Sequence, residues 1–254
     1  MTAKIIAITN QKGGVGKTTT AVNLSASLGA IKKKILLIDL DPQGNASMGS
    51  GLRKNDINFS SADLLLNLAP IQDIIKKTTV GYDLIPSSPQ LIAAEVQLTK
   101  LNEREYFLRR ALGSIIENYD FIFIDCPPAL NILTVNALVT ATSVIIPIQC
   151  EYYALEGLAA LLGTIEQLKN TVNAALQIEG LLRTMYDARN RLSLEVSTQL
   201  MQHFPGKVYK TIIPRNVRLA EAPSHGLPVL LYDHTSQGAM AYLALASELV
   251  NKNN

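Results

Sequence analysis

Residues 4–20, KIIAITNQKGGVGKTTT, constrain the fold more than any other stretch. Ile5, Ile6, Ala7 and Ile8 form a short continuous apolar run. Such a run reads as a strand buried on both faces, which belongs in a parallel sheet covered by helices. A helical pattern follows over 17–29. Between them, Gly13, Gly14 and Gly16 let backbone N–H groups turn inward around an anion. The N-terminus of the following helix adds its dipole and unpaired donors. In this order of strand, loop and helix, Lys17 would reach the β- and γ-phosphates of a nucleotide. The Thr18 hydroxyl would bind Mg²⁺, and Thr19 is placed to touch the α-phosphate. The loop departs from G-x-x-x-x-G-K-[ST] at its first position, Gln11, and a second cation, Lys12, comes next. Two ammonium groups in one short loop repel each other unless an anion lies between them.

The rest of the chain repeats the strand–helix alternation. Runs at 4–9, 34–39, 82–87, 121–125, 143–148, 175–185 and 207–214 read as strands. Helices are expected over 17–29, 60–68, 88–98, 103–118, 131–141, 154–171, 191–203 and 236–251. In 103–118, Tyr106, Phe107, Ala111, Ile115 and Ile116 fall on one side, with Arg109, Arg110 and Glu117 away from it. Alternating βα units predict an α/β fold: one doubly wound, mostly parallel sheet flanked by helices on both faces, as in P-loop NTPases. Apolar residues make up 48% of the 254, enough for a sizeable core. With no repeat, low-complexity segment or linker, residues 1–254 read as a single domain. Asn251 to Asn254 read as a frayed tail.

Three carboxylates join the loop. LLIDLDPQGN places Asp39 at a strand end and Asp41 just past it. Ligands of open parallel sheets sit beyond the carboxyl ends of strands, so Asp41 could orient or deprotonate an attacking water. The alternative role of Asp41 is turn capping. Asp39 could end its strand near Mg²⁺. FIFIDCPP has the form of four apolar residues followed by an aspartate; Asp125 would hold Mg²⁺, and Pro127 and Pro128 stop the strand. His203, His225 and His234 stand apart and read as surface or capping residues. No Ser-His-Asp set competes, so phosphoryl transfer to water is the chemistry the sequence supports.

Charge is uneven. The chain carries +2, but Arg183 to Arg218 holds seven basic and two acidic residues, a net of +5 that leaves −3 elsewhere. Cys126 and Cys150 are in no metal or redox spacing and read as buried free thiols. No stretch approaches a membrane span, and the apolar start is too short for a signal peptide, so a cytoplasmic location is expected.

KGGVGKT resembles the deviant Walker A loop of the ParA/MinD ATPase superfamily. ITNQKGGVGKTTTAVNLS, LLIDLDPQGNAS, DFIFIDCPPAL, VIIPIQCEYYALEGL and TIIPRNVRLAEAPSHGLPVLLYD are similar to the short chromosomal ParA (Soj-type) partition ATPases, over nearly the whole chain. The resemblance implies ATP on Gly13, Gly14, Val15, Gly16, Lys17, Thr18 and Thr19. Mg²⁺ would lie on Thr18 with Asp125 and Asp39, and Asp41 would serve hydrolysis. It implies that Lys12 crosses a dimer interface onto the partner's nucleotide. Pro214 and Asn216, with Met185 as a third contact, would hold adenine. Arg189 and Arg218 would contact nonspecific double-stranded DNA, with Arg191, Lys207 and Lys210 as weaker contacts. The implied setting is a nucleoid-associated homodimer whose hydrolysis a ParB/Spo0J-type centromere-binding protein stimulates. Alternatives are a MinD-like membrane ATPase, a nitrogenase-iron-protein-like reductase, a ParA with an N-terminal operator-binding domain, and a nucleotide-gated binding module with incidental hydrolysis. The last helix carries only Lys252 as a basic residue, against a membrane face. Neither cysteine lies in a Gly-rich cluster motif. The loop strand begins at Lys4, so no operator-binding domain is expected.

Overall fold

Strands β1 (Lys4–Ile8), β2 (Ile35–Asp39), β3 (Lys76–Lys77), β4 (Asp83–Ile85), β5 (Phe121–Asp125), β6 (Ser143–Gln149), β7 (Gln177–Tyr186) and β8 (Val208–Pro214) build one sheet in the computed structural model, which describes residues 2–253. Their order is β3-β4-β2-β5-β1-β6-β7-β8, parallel except for β3, which runs antiparallel to β4 at one edge. The helices are α1 (Lys17–Ala30), α2 (Asn45–Gly49), α3 (Ser61–Leu65), α4 (Ile71–Ile74), α5 (Leu91–Leu98), α6 (Phe107–Leu112), α7 (Ile132–Thr140), α8 (Ala154–Thr171), α9 (Arg191–His203), α10 (Val217–Glu221), α11 (Val229–Tyr232) and α12 (Gln237–Lys252).

The continuous apolar runs are explained by two cores. Side chains alternate between faces along a strand. Ile5, Ala7, Leu36, Ile38, Ile122 and Ile124 pack on one face with Leu65, Leu112, Leu138 and Leu161. Ile6, Ile8, Ile35, Leu37, Phe121 and Phe123 pack on the other with Leu24, Leu28, Tyr242 and Leu249. The apolar face of α12 (Ala239, Tyr242, Leu245, Ala246 and Leu249) is therefore spent on the core. No helix among the described residues is long and apolar enough to cross a membrane.

Several expected elements differ. The predicted helix 103–118 is broken into 3₁₀ turns at Arg104–Tyr106 and Ile116–Asn118 around α6. Asn136 of α7 causes the first break. Its Oδ1 accepts from Leu108 N at 3.1 Å and its Nδ2 donates to Arg104 O at 2.8 Å. Those are the two groups that an α-helical turn would have joined to each other. The buried stripe is Leu108, Leu112 and Ile115, while Tyr106, Phe107, Ala111 and Ile116 are only half-buried. The helix expected over 60–68 is five residues long, opened by a capping box between Ser60 and Asp63. The tail did not fray: α12 runs to Lys252, Lys252 donates to the Glu179 carbonyl, and Asn253 Nδ2 reaches Glu179 Oε1 at 3.2 Å. Asn254 lies outside the described residues. Cys126 and Cys150 are buried and free, and all three histidines are exposed.

Candidate nucleotide site

The site sits where β1, β2 and β5 end level, with Ile8 opposite Asp125 and Asp39 opposite Asp125 in register. The loop leaving β1 is tied down at both ends. Asn10 Nδ2 donates to Pro147 O at 2.8 Å, and Asn10 Oδ1 accepts from Lys12 N at 3.0 Å. Thr184, at the end of β7, donates to Val15 O at 2.8 Å. Gly14 and Gly16 have φ of 73° and 86°, left-handed values that a side chain resists. Added Cβ atoms at Gly13 and Gly14 would meet nothing within 4 Å, so this part of the loop opens onto free space. A cavity of about 430 Å³ lies there, lined by Gly13, Gly14, Gly16, Lys17, Thr18, Thr19, Asp41, Met185, Pro214 and Asn216 among others. The loop, both strand-end candidates for the base and Asp41 are thus brought together.

The two lysines part company. Lys17 is buried, and its Nζ donates to Lys12 O at 3.1 Å. Burial pushes its ammonium down from the ordinary lysine value, opposed by the negative charge of Asp125. The Lys12 side chain is 41% exposed and its Nζ pairs with the Glu151 carboxylate just past β6. Lys12 does not line the cavity.

The carboxylates differ as well. Asp125 is fully buried; its Oδ2 accepts from Thr18 Oγ1 at 2.8 Å, while its Oδ1 has no partner. Burial, then the charge of Asp39, pushes Asp125 well above the usual carboxylate range. An orphaned acceptor in a buried acid beside a hydroxyl and an ammonium fits a cation there. Asp39, also fully buried, takes Ser47 N at 2.8 Å, Ser47 Oγ at 2.7 Å and Asp41 N at 3.1 Å. Burial raises it to about 6, those hydrogen bonds opposing. Its Oδ2 is engaged with α2 and its Oδ1 with the Asp41 N–H, so of the two only Asp125 keeps a bare oxygen. No cluster of three His, Cys, Asp or Glu suited to a metal occurs among the described residues. Asp41 both caps its turn, accepting from Gln43 N at 3.0 Å, and lines the cavity.

At the other end of the cavity, Met185 holds φ of 47°, a strained value for a long side chain. Asn216 caps α10, its Oδ1 accepting from Leu219 N at 3.3 Å, which leaves the amide NH₂ for a ligand. Sequence reading missed Thr184 and Tyr242 in the lining and Glu151 as the partner of Lys12. Thr184 adjoins Met185 at the end of its strand, which is the only sequence signal it carried; Tyr242 and Glu151 carried no local signal.

A second cleft of about 880 Å³ lies on the far side of Thr18 and Thr19, between α2 and the loop after α10, lined by Met48, Arg53 and His225 among others. It contains neither lysine. At its floor a Cβ on Gly226 would lie 3.1 Å from Gly51 Cα, and one on Gly51 would lie 3.2 Å from Gly226 O. Both glycines have positive φ.

The +5 segment does not form one surface. Arg183 is buried, donating to Ser197 Oγ and Tyr209 O at 2.9 Å each, and so ties α9 to β8. Arg189 and Arg218 both follow carboxyl ends of strands, of β7 and β8. Arg189 is 91% exposed and grips Asp187 through Nε and Nη2; Arg218 pairs with Glu221 and Asp233. Arg191 pairs with Glu195. Lys207 donates to Ile178 O at the start of β7, at the opposite end of the sheet. The 207–214 run separates it from Pro214 by roughly 23 Å at about 3.3 Å per residue. Lys210 is exposed partway along β8.

Residues 3–178 match the AAA domain family. The sporulation initiation inhibitor protein Soj of Bacillus subtilis is 56% identical over 247 residues, covering 97% of this chain and 98% of that protein. The chromosome partitioning protein ParA of Myxococcus xanthus is 48% identical, covering 98% and 88%. Among solved structures, cobyrinic acid a,c-diamide synthase from Mycobacterium smegmatis, with bound ATP analog and magnesium, superposes with a TM-score of 0.86. Its identity is 34%, over 98% of this chain and 95% of that one. Identity to the partition relatives is far higher than to this neighbour. The chain belongs to the Soj/ParA family of chromosome-partitioning ATPases.

Proposed function

We propose that this chain is a chromosome-partitioning ATPase that binds ATP and Mg²⁺, dimerises on ATP, and in that form holds double-stranded DNA without reading its sequence. The observation that carries the reading is the division of labour between the two lysines. Lys17 lies buried inside the loop of its own chain, while Lys12 stands at the rim on a surface ion pair that solvent and a partner can reach. Gly13 to Thr19 would cradle the phosphates, and the orphaned Asp125 oxygen with Thr18 Oγ1 would hold the metal, which supplies charge neutralisation when bound. Asp39 holds Ser47 and so fixes the start of α2. Asp41 would orient the attacking water and take its proton. Pro214, Asn216 and Met185 would receive the adenine.

In this reading Lys12 leaves Glu151 and reaches the phosphates bound by a second copy. Twofold pairing then doubles the Arg189 and Arg218 set on one face. Lys207 belongs to another part of the surface and contributes less. Turnover is slow until a ParB-type centromere-binding partner engages, and the protein is cytoplasmic and nucleoid-associated. A single ATPase domain over 1–254 suffices for this cycle. Membrane attachment through α12 is not favoured, because its apolar face is in the core. The test is binding to random-sequence duplex and to anionic vesicles, each with ATP, with ADP and with no nucleotide. ATP-dependent, salt-sensitive binding to duplex alone supports the reading. Binding to vesicles alone refutes it.

A further inference from the structure

A second basic cluster lies at the far corner of the molecule. Lys32, Lys33 and Lys34 precede β2, and Lys76 and Lys77 form β3. Register brings them together. Lys77 lies opposite Asp83 of β4, and Asp83 lies opposite Leu36 of β2. Two strand spacings of about 4.8 Å put the Lys77 backbone roughly 10 Å from that of Leu36, within reach of lysine side chains at 33 and 34. Lys33, Lys34 and Lys77 line a cleft of about 570 Å³ with Thr78, Asn118 and Tyr119.

The nearby carboxylates are already engaged. Asp83 accepts from Lys77 Nζ at 2.6 Å and from Tyr119 Oη at 2.8 Å, and Asp120 accepts from Lys34 N at 2.7 Å. Among the described residues no ion pair holds Lys32, Lys33, Lys34 or Lys76. Lys33 and Lys34, both without an ion pair, and Lys77, whose partner Asp83 it would have to share, line a polar cleft that suits a polyanion with spaced phosphates. They are point charges on flexible stems, without the guanidinium forks that read bases. The lysines sit on a loop and a strand around a hollow, which fits the ridge of a duplex backbone better than the plane of a lipid surface. The cluster is at the amino ends of the strands. It lies about 17 Å along β2 from Asp39 and on the opposite edge of the sheet from Arg189 and Arg218.

We propose that this lysine cleft is a second backbone contact for duplex DNA, so that a nucleotide-bound dimer joined at its carboxyl-end face can hold one duplex on the Arg189 and Arg218 set beside that junction and another at its outer ends. The inference rests on the DNA-binding reading above. The test uses the full chain with Mg²⁺ and a non-hydrolysable ATP analogue. Bead-bound random duplex is asked to capture a second, fluorescent duplex. Wild type should capture it. Lys33→Gln/Lys34→Gln/Lys77→Gln should lose capture at least tenfold while still dimerising and binding a single duplex. Losing three phosphate contacts should make the slope of log affinity against log salt shallower by about 2.7. Lys32→Gln/Lys33→Gln/Lys34→Gln, which spares the Lys77–Asp83 pair, should show the same loss if the first variant misfolds. Capture by either folded variant at the wild-type level overturns the proposal. So does wild type that binds duplex but captures no second one, or a variant that loses only anionic-vesicle binding. Wild type that binds no duplex with nucleotide refutes the DNA-binding reading itself, and this proposal with it.

Discussion

Replacing Lys12 by alanine should separate folding from assembly. The Lys12 and Glu151 side chains are 41% and 42% exposed, so their pair is screened by solvent. Exposed pairs contribute about 0.2–1 kcal/mol. Lys12→Ala should therefore lower folding stability by no more than about 1 kcal/mol, a shift of roughly 2–4 °C in Tm for a chain of this size. Nucleotide affinity should stay within about threefold, because the buried cation of the loop is Lys17. Dimerisation should respond differently. Truncating one partner of a desolvated, hydrogen-bonded charge pair costs about 2–5 kcal/mol. A twofold interface contains two such contacts, so the loss is about 4–10 kcal/mol, at least about 10³-fold in the dimer constant. Sedimentation velocity with a non-hydrolysable ATP analogue and Mg²⁺ measures this without interference from turnover. A fluorescent nucleotide titration on the same samples supplies the control. A Lys12→Ala dimer constant within about tenfold of wild type would mean that Lys12 works in its own chain. Loss of nucleotide binding in parallel would mean the same.

Asp41→Ala should bind ATP and dimerise but lose about 10²- to 10⁴-fold in turnover, the range for removing a general base; normal phosphate release in a steady-state assay removes Asp41 from the chemistry. Gly180→Ala would put a Cβ 2.4 Å from Cε2 of the buried Tyr209 ring. It should destabilise by about 1–3 kcal/mol or more in urea unfolding, with Tyr209→Leu recovering part of the loss; an unshifted midpoint would show that the strand gives way freely. Glu179 supplies a pH signature. Burial pushes its carboxyl up, but hydrogen bonds from Lys4 and Asn253 and the Lys4 charge outweigh it and hold it below the ordinary glutamate value. A lowered folded value means stability present above about pH 4.3 and lost as the pH falls further, through the folded value. Glu179→Gln should flatten that part of the thermal-stability profile, and an unchanged acid limb would count against the Lys4–Glu179 tie.

What could be read from the sequence was local. The glycines, Lys17 and Thr18 lie within one turn of chain between a strand and a helix, so their geometry follows from neighbours. Asp39 and Asp125 end apolar strands, and in-register pairing made them adjacent. What could not be read was set by distant partners. Glu151 meets Lys12 across 139 residues, and Asn136 breaks a helix 28 residues before it. Charge counting placed Arg183 with the surface cations, but its strand position turns it inward under α9. The same counting passed over the lysines of β3, because a two-residue antiparallel edge strand has no periodicity to detect.

The meeting of Gly51 and Gly226 is a joint without side chains. Most contacts between loops yield by changing a rotamer, which absorbs small displacements before they travel. Two backbones at contact distance have no such slack. One loop descends from Asp41 through α2, and the other follows Arg218 through Ala222–His225. Neither glycine has a side chain that could turn aside, so the two loops meet with only backbone between them. The closeness comes from atoms that are missing, and a single methyl group at either glycine would ask the facing backbone to draw back by a few tenths of an ångström.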